Sequence, residues 1–96
     1  MFLLNVSYSK APDEVTPHVK PHGEWVTRYF KEGIFLFAGP KKSGLGGVIG
    51  AKAIEKRRLL EILAEDPYVK ADVADVEIVD FDCKAATDAI AALKGI

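Results

Sequence analysis

The run Ile34-Phe35-Leu36-Phe37-Ala38 constrains this chain more than any other stretch. Five consecutive apolar residues, bounded by Gly33 and by Gly39-Pro40, are too few for a helix of ordinary length and read as a β-strand buried on both faces. Such a strand needs cover on two sides. A chain of 96 residues, 49% of them hydrophobic, builds one compact core that buries roughly 60–65% of its unfolded surface. Its own helices can supply one covering layer. The other has to come from outside the chain.

The remaining elements follow from hydrophobic spacing and from glycine and proline punctuation. Phe2, Leu4, Val6 and Tyr8 alternate with Leu3, Asn5 and Ser7, the period of a strand. Lys10 to Pro21 holds three prolines (Pro12, Pro17, Pro21) and few apolar residues, which reads as a loop with a helical turn at most. Pro21 suits the first position of a helix, where a missing N–H costs nothing. That helix runs to Glu32, with Gly33 as its left-handed terminator. His22, Trp25, Val26, Tyr29 and Phe30 share its apolar stripe. Gly47 to Ile54 reads as a third strand, weakened by Gly50. Glu55 to Glu65 is an amphipathic helix stopped by Asp66-Pro67, and Val73 to Phe81 is a fourth strand. The Ala-rich stretch Ala85 to Leu93 predicts a short C-terminal helix. The order is therefore β-α-β-β-α-β plus a helix, the α+β, ferredoxin-like arrangement of one antiparallel sheet with helices on one face. Large side chains on both faces of the strands make a sheet-on-sheet homodimer the economical cover for the second face. The chain reads as one domain over 1–96.

Composition narrows the function classes. Thirteen Lys and Arg against fourteen Asp and Glu leave a net charge of −1, which argues against a nucleic-acid coat. The charges are nonetheless segregated. Lys41, Lys42, Lys52, Lys56, Arg57 and Arg58 form a basic zone, whereas Glu65 to Asp82 contains seven acids and one lysine. One cysteine, Cys83, excludes an internal disulfide framework and a Cys-rich zinc site, and points to a reducing cytoplasm. No run approaches the roughly 20 apolar residues of a membrane helix. Lys41 to Gly47 is Gly-rich without Walker spacing, so it reads as a flexible hairpin loop.

His22 is the leading candidate for chemistry. A histidine in the first turn of a helix faces the positive end of the helix dipole, which favours the neutral imidazole, and a neutral histidine is a usable general base. The plainer alternative is a helix-start histidine packed on the sheet with both nitrogens satisfied. His18 lies four residues earlier, a metal-ligand spacing, but Pro21 intervenes and a third ligand is missing. Asp66, ahead of Pro67-Tyr68, is either a turn-forming stop or a carboxylate that orients a histidine. At the end of the second helix it would sit unfavourably against the dipole. Trp25, Tyr29, Phe35 and Phe37 are expected to wall an apolar pocket.

Together these residues resemble the YCII (YciI-like) family over about residues 1–82. The markers are the N-terminal strand, Pro21-His22 with Gly33 eleven residues past the histidine, Glu32 through Pro40, Gly46-Gly47, Ala64-Glu65-Asp66-Pro67-Tyr68 and Val73-Ala74-Asp75. The resemblance implies a dimeric α/β barrel of two facing sheets. It also implies a His-Asp pair at the catalytic centre, which maps to His22 and Asp66, with Gly39 and Pro40 shaping the pocket wall. A dehydrochlorinase acting on a chlorinated hydroxyquinol belongs to that family, so elimination without a cofactor is chemistry the scaffold supports. The tail 83–96 falls outside the shared region. The leading expectation is a cofactor-independent acid–base enzyme, lyase- or isomerase-like, acting on a small aromatic or enolisable substrate. The alternative is a non-catalytic module that binds a small metabolite or associates with a larger enzyme.

Overall fold

A computed structural model describes residues 1–96. Strand β1 (Phe2–Tyr8) leads into a short helix α1 (Pro12–Val15), a 3₁₀ turn (Thr16–His18) and helix α2 (Val19–Lys31). Strands β2 (Phe35–Pro40) and β3 (Gly46–Ala51) form a hairpin. Helix α3 (Lys56–Ala64), helix α4 (Pro67–Lys70) and strand β4 (Ala74–Asp80) follow, and a 3₁₀ segment (Asp88–Leu93) ends the chain. The strands form one sheet in the order β2-β3-β1-β4, antiparallel throughout. Two split crossovers, β1 to β2 over β3 and β3 to β4 over β1, give the ferredoxin-like α+β fold expected from the element order. No helix is long and apolar enough to cross a membrane.

The segment expected as a loop is helical almost from Pro12 to Lys31, and α2 begins two residues ahead of Pro21. The prolines fit because each stands in a first turn. Pro12 opens α1, Pro17 lies in the 3₁₀ turn, and Pro21 is the third residue of α2. N–H groups at those positions have no intrahelical acceptor to lose. Gly33 terminates α2 as expected, at φ 74°, and the amides of Gly33 and Ile34 close on the carbonyls of Phe30 and Tyr29.

One face of the sheet holds the main core. Phe2, Leu4, Ile49, Ala51 and Phe35 pack there against Trp25 and Tyr29 of α2 and Leu59, Ile62 and Leu63 of α3. The Trp25 indole N–H donates to the Ile62 carbonyl at 3.0 Å, tying the two helices together. Bulged pairing between Phe35 and Phe37 shifts β2 by one residue against β3. Phe35 therefore points into the core, while Phe37 points out of the opposite face at 41% exposure. There it lies over Gly50, where a Cβ would collide with its ring. The glycine that seemed to weaken β3 instead makes room for an aromatic cover.

The outer face carries Phe37, Gly50, Leu3 and Val79 as one row across all four strands, with Gly39, Val48, Asn5 and Glu77 as the next. Beside these, the Lys41 ammonium donates to the Ser7 hydroxyl at 2.9 Å. The short C-terminal helix expected over Ala85 to Leu93 is present as a 3₁₀ segment, Asp88–Leu93, kinked at Ile90 (φ −126°, ψ 25°). It buries none of its residues, and a helix this short has little stability without a packed face.

Candidate active site

Two elements from separate halves of the chain bring the central pair together. The first turn of α2 presents His22, and the junction between α3 and α4 presents Asp66. His22 Nδ1 lies 2.8 Å from Asp66 Oδ1. Asp66 is fully buried, the one buried charged residue in the core. Helix α3 ends at Ala64, so Asp66 does not stand against its dipole. It caps the start of α4 instead, where Oδ1 accepts the Tyr68 amide at 3.0 Å. The expected unfavourable position is thereby corrected to a capping one. Asp66 Oδ2 is buried with no partner.

An ionised Asp66 accepts at Oδ1, so the proton between the pair belongs on His22 Nδ1 and leaves Nε2 as the basic nitrogen. The ring is held from its faces too. Tyr68 stacks on it at 3.9 Å between centroids and 10° between planes, and Trp25 stands 5.6 Å away. Tyr8 meets Tyr68 edge-on at 5.6 Å. Burial, and then the Tyr8 hydroxyl and the Asp66 charge, push the Tyr68 phenol well above its ordinary pKa, so it keeps its proton.

His22 opens onto a cavity of about 420 Å³ between α2 and the ends of β1, β2 and β3. Val26, Phe30, Pro40 and Ile49 make it apolar, and His22, Tyr8 and Tyr68 bring the polar atoms. A volume of this order is that of a small-molecule site. A larger depression of about 640 Å³ on the solvent side of α2, beside Lys20, Glu24 and Arg28, has no hydrophobic lining residue.

The expected residues divide into three groups. His22 and Asp66 meet, and Gly39 and Pro40 do line the cavity. Trp25, Tyr29 and Phe35 do not; they are 2–3% exposed and form the core beneath it. Phe37 is on the far face of the sheet because of the bulge. The reason for the first exchange is helical geometry. Positions four and eight past His22 (Val26, Phe30) drift one way around the helix and reach the cavity. Positions three and seven past it (Trp25, Tyr29) drift the other way and enter the core. Tyr8 and Tyr68 were absent from the expected site. Tyr68 had a signal in its position two residues after Asp66, and Tyr8 in closing the inward-facing series of β1. No group of three or more His, Cys, Asp or Glu side chains is placed to hold a metal ion.

Residues 1–82 match the model of the YCII-related domain family. No curated protein sequence matches the chain. Among solved structures, it is similar to the 5-chloro-2-hydroxyhydroquinone dehydrochlorinase TftG of Burkholderia phenoliruptrix AC1100, in complex with 2,5-dihydroxybenzoquinone. The TM-score is 0.69 at 13% sequence identity, covering 85% of this chain and 94% of that one. At that identity the likeness is one of fold.

Proposed function

The chain belongs to the YCII-related family, and from that premise and the geometry of its site we propose that it is a cofactor-independent acid–base enzyme of the lyase or isomerase type. The observation that carries this reading is the pairing of a buried Asp66 with His22 Nδ1 at the mouth of an apolar cavity. Asp66 holds the imidazole in one tautomer, and Nε2 takes a proton from a small hydroxylated aromatic or enolisable substrate. The apolar walls of the cavity hold a flat ring.

Dehydrochlorination of a chlorinated hydroxyquinol is the specific form that the fold likeness to TftG brings forward. A ring hydroxyl loses its proton and the chlorine-bearing carbon gains one, giving a keto tautomer. Removal of a second hydroxyl proton then expels chloride as the carbon–chlorine bond breaks. The sum is loss of HCl and formation of a hydroxyquinone, with no change in the protein. Chloride release by wild type, His22→Ala and Asp66→Asn tests this. His22→Ala is expected to lose roughly 10²–10⁴ in rate, the usual contribution of a positioned general base. Undiminished turnover by that variant, with the fold intact, overturns the reading. The competing reading as a binding module draws on the second role of Asp66 in capping α4. It predicts ligand binding with no turnover in any variant.

We propose further that the outer sheet face is covered by a second copy, as a homodimer. The support is its unpartnered apolar row, in which Phe37 is 41% and Val79 43% exposed. Working within the cytoplasm fits the lone, unpaired Cys83.

A further inference from the structure

Three aromatic rings run in sequence along one side of the cavity: His22, Tyr68 stacked on it, and Tyr8 set edge-on against Tyr68. The proposed chemistry uses only the first. Tyr68 is 4% exposed and gives its face to His22. Tyr8 is half-buried and lines the cavity, one ring beyond the histidine's own stack. Apart from His22 and Tyr68, the other lining residues offer only hydrocarbon or backbone. His22 and Tyr8 thus bring polar side chains to the cavity from either side of the Tyr68 ring, and the apolar lining residues complete the site.

We propose that Tyr8 is the second substrate-binding group of this site, donating its hydroxyl proton to a substrate oxygen opposite the one that His22 engages. The inference rests on the acid–base reading of His22 and deepens it by naming a substrate class. That class is a flat, single-ring or equally short conjugated molecule with an oxygen at each end. When His22 takes a proton from one end, the electron pair moves through the conjugated frame. A carbonyl oxygen at the far end then gains negative charge and is held by the Tyr8 hydrogen bond. When the far oxygen is a hydroxyl, Tyr8 orients it.

The test compares binding of hydroquinone and 4-methylphenol, which differ by a hydroxyl against a methyl of similar size, measured anaerobically by ligand-observed NMR titration. Wild type is expected to bind hydroquinone about fivefold more tightly, the effect of one added hydrogen bond. Tyr8→Phe keeps the edge-on ring and is expected to bind the two equally, at the wild-type affinity for 4-methylphenol. A Tyr8→Phe variant that keeps the fivefold preference overturns the role of Tyr8 while leaving His22 untouched. A His22→Ala variant that binds both probes as wild type does removes the acid–base reading beneath it. Failure of wild type to bind either ring overturns both.

Discussion

Asp66 is asked to be two things by its neighbours, the cap of α4 and the partner of His22. A fully buried carboxylate with one unpartnered oxygen is stable only while those contacts last. His22→Ala is therefore expected to lower stability by about 2–4 kcal/mol by leaving that charge unpaired. His22→Ala with Asp66→Asn should recover part of the loss, as urea denaturation would show. A result in which the double variant is no more stable than the single one would mean that the charge is compensated elsewhere. Tyr68 gives a prediction in pH. Its phenol is raised above the value of about 10 that an unfolded tyrosine has, so the unfolded chain releases this proton first. Its contribution to stability is complete below about pH 10 and falls away as the pH climbs beyond it. Thermal melts from about pH 9 to 11 should show a shallower alkaline decline for Tyr68→Phe than for wild type. At this scale much of the site was legible: His22 stood out as an ionisable group on an apolar stripe, and Asp66 as an acid before Pro67-Tyr68. That they meet is not legible in the spacing, because 44 residues separate them; only the family resemblance implied the pair.

Among the elements, α2 shows how near a spacing argument comes and where it stops. Its apolar stripe is wide enough to serve two surfaces. Trp25 and Tyr29 went to the core while Val26 and Phe30 went to the cavity. The difference is a fraction of a turn, and only the sheet beneath the helix decides which edge is inside. Strand β2 makes the same point with a single residue. Straight alternation puts Phe35 and Phe37 on one face, and the bulge puts them on opposite ones. The pairing of Phe37 with Gly50 can be tested directly. Gly50→Ala is expected to cost about 0.5–1.5 kcal/mol by forcing the Phe37 ring away from its rotamer. In a Phe37→Ala background the same change should cost much less, because the obstacle is gone. Equal costs in both backgrounds, measured by denaturant melts, would mean that the ring does not hold that space. The C-terminal segment marks the limit of propensity itself: alanines favour helix, yet with no surface to pack on they settled into 3₁₀ turns.

For the molecule as a whole, the outer sheet face is what the single chain leaves unfinished. Its first row, Phe37, Gly50, Leu3 and Val79, is apolar from edge to edge. If a second copy covers it, a charge placed there should be enough to part them, since an unpaired charge buried in an apolar interface costs several kcal/mol. Sedimentation of wild type as a dimer and of Val79→Lys as a folded monomer is the expected outcome. Monomeric wild type at micromolar concentration would remove the homodimer from the account.

What the sequence determined by itself was the order of elements, and with it the ferredoxin-like sheet, because hydrophobic period and glycine or proline punctuation are local properties that survive without knowing the fold. It also marked the ionisable residues worth watching. What only the tertiary structure decided was which side chains share a space: the contact of His22 with Asp66, the rise of Tyr8 and Tyr68 into the cavity, and the retreat of Trp25, Tyr29 and Phe35 into the core. Those outcomes depend on the angle at which a helix meets its sheet and on one bulged residue. Both are set by packing between parts of the chain that are distant in sequence.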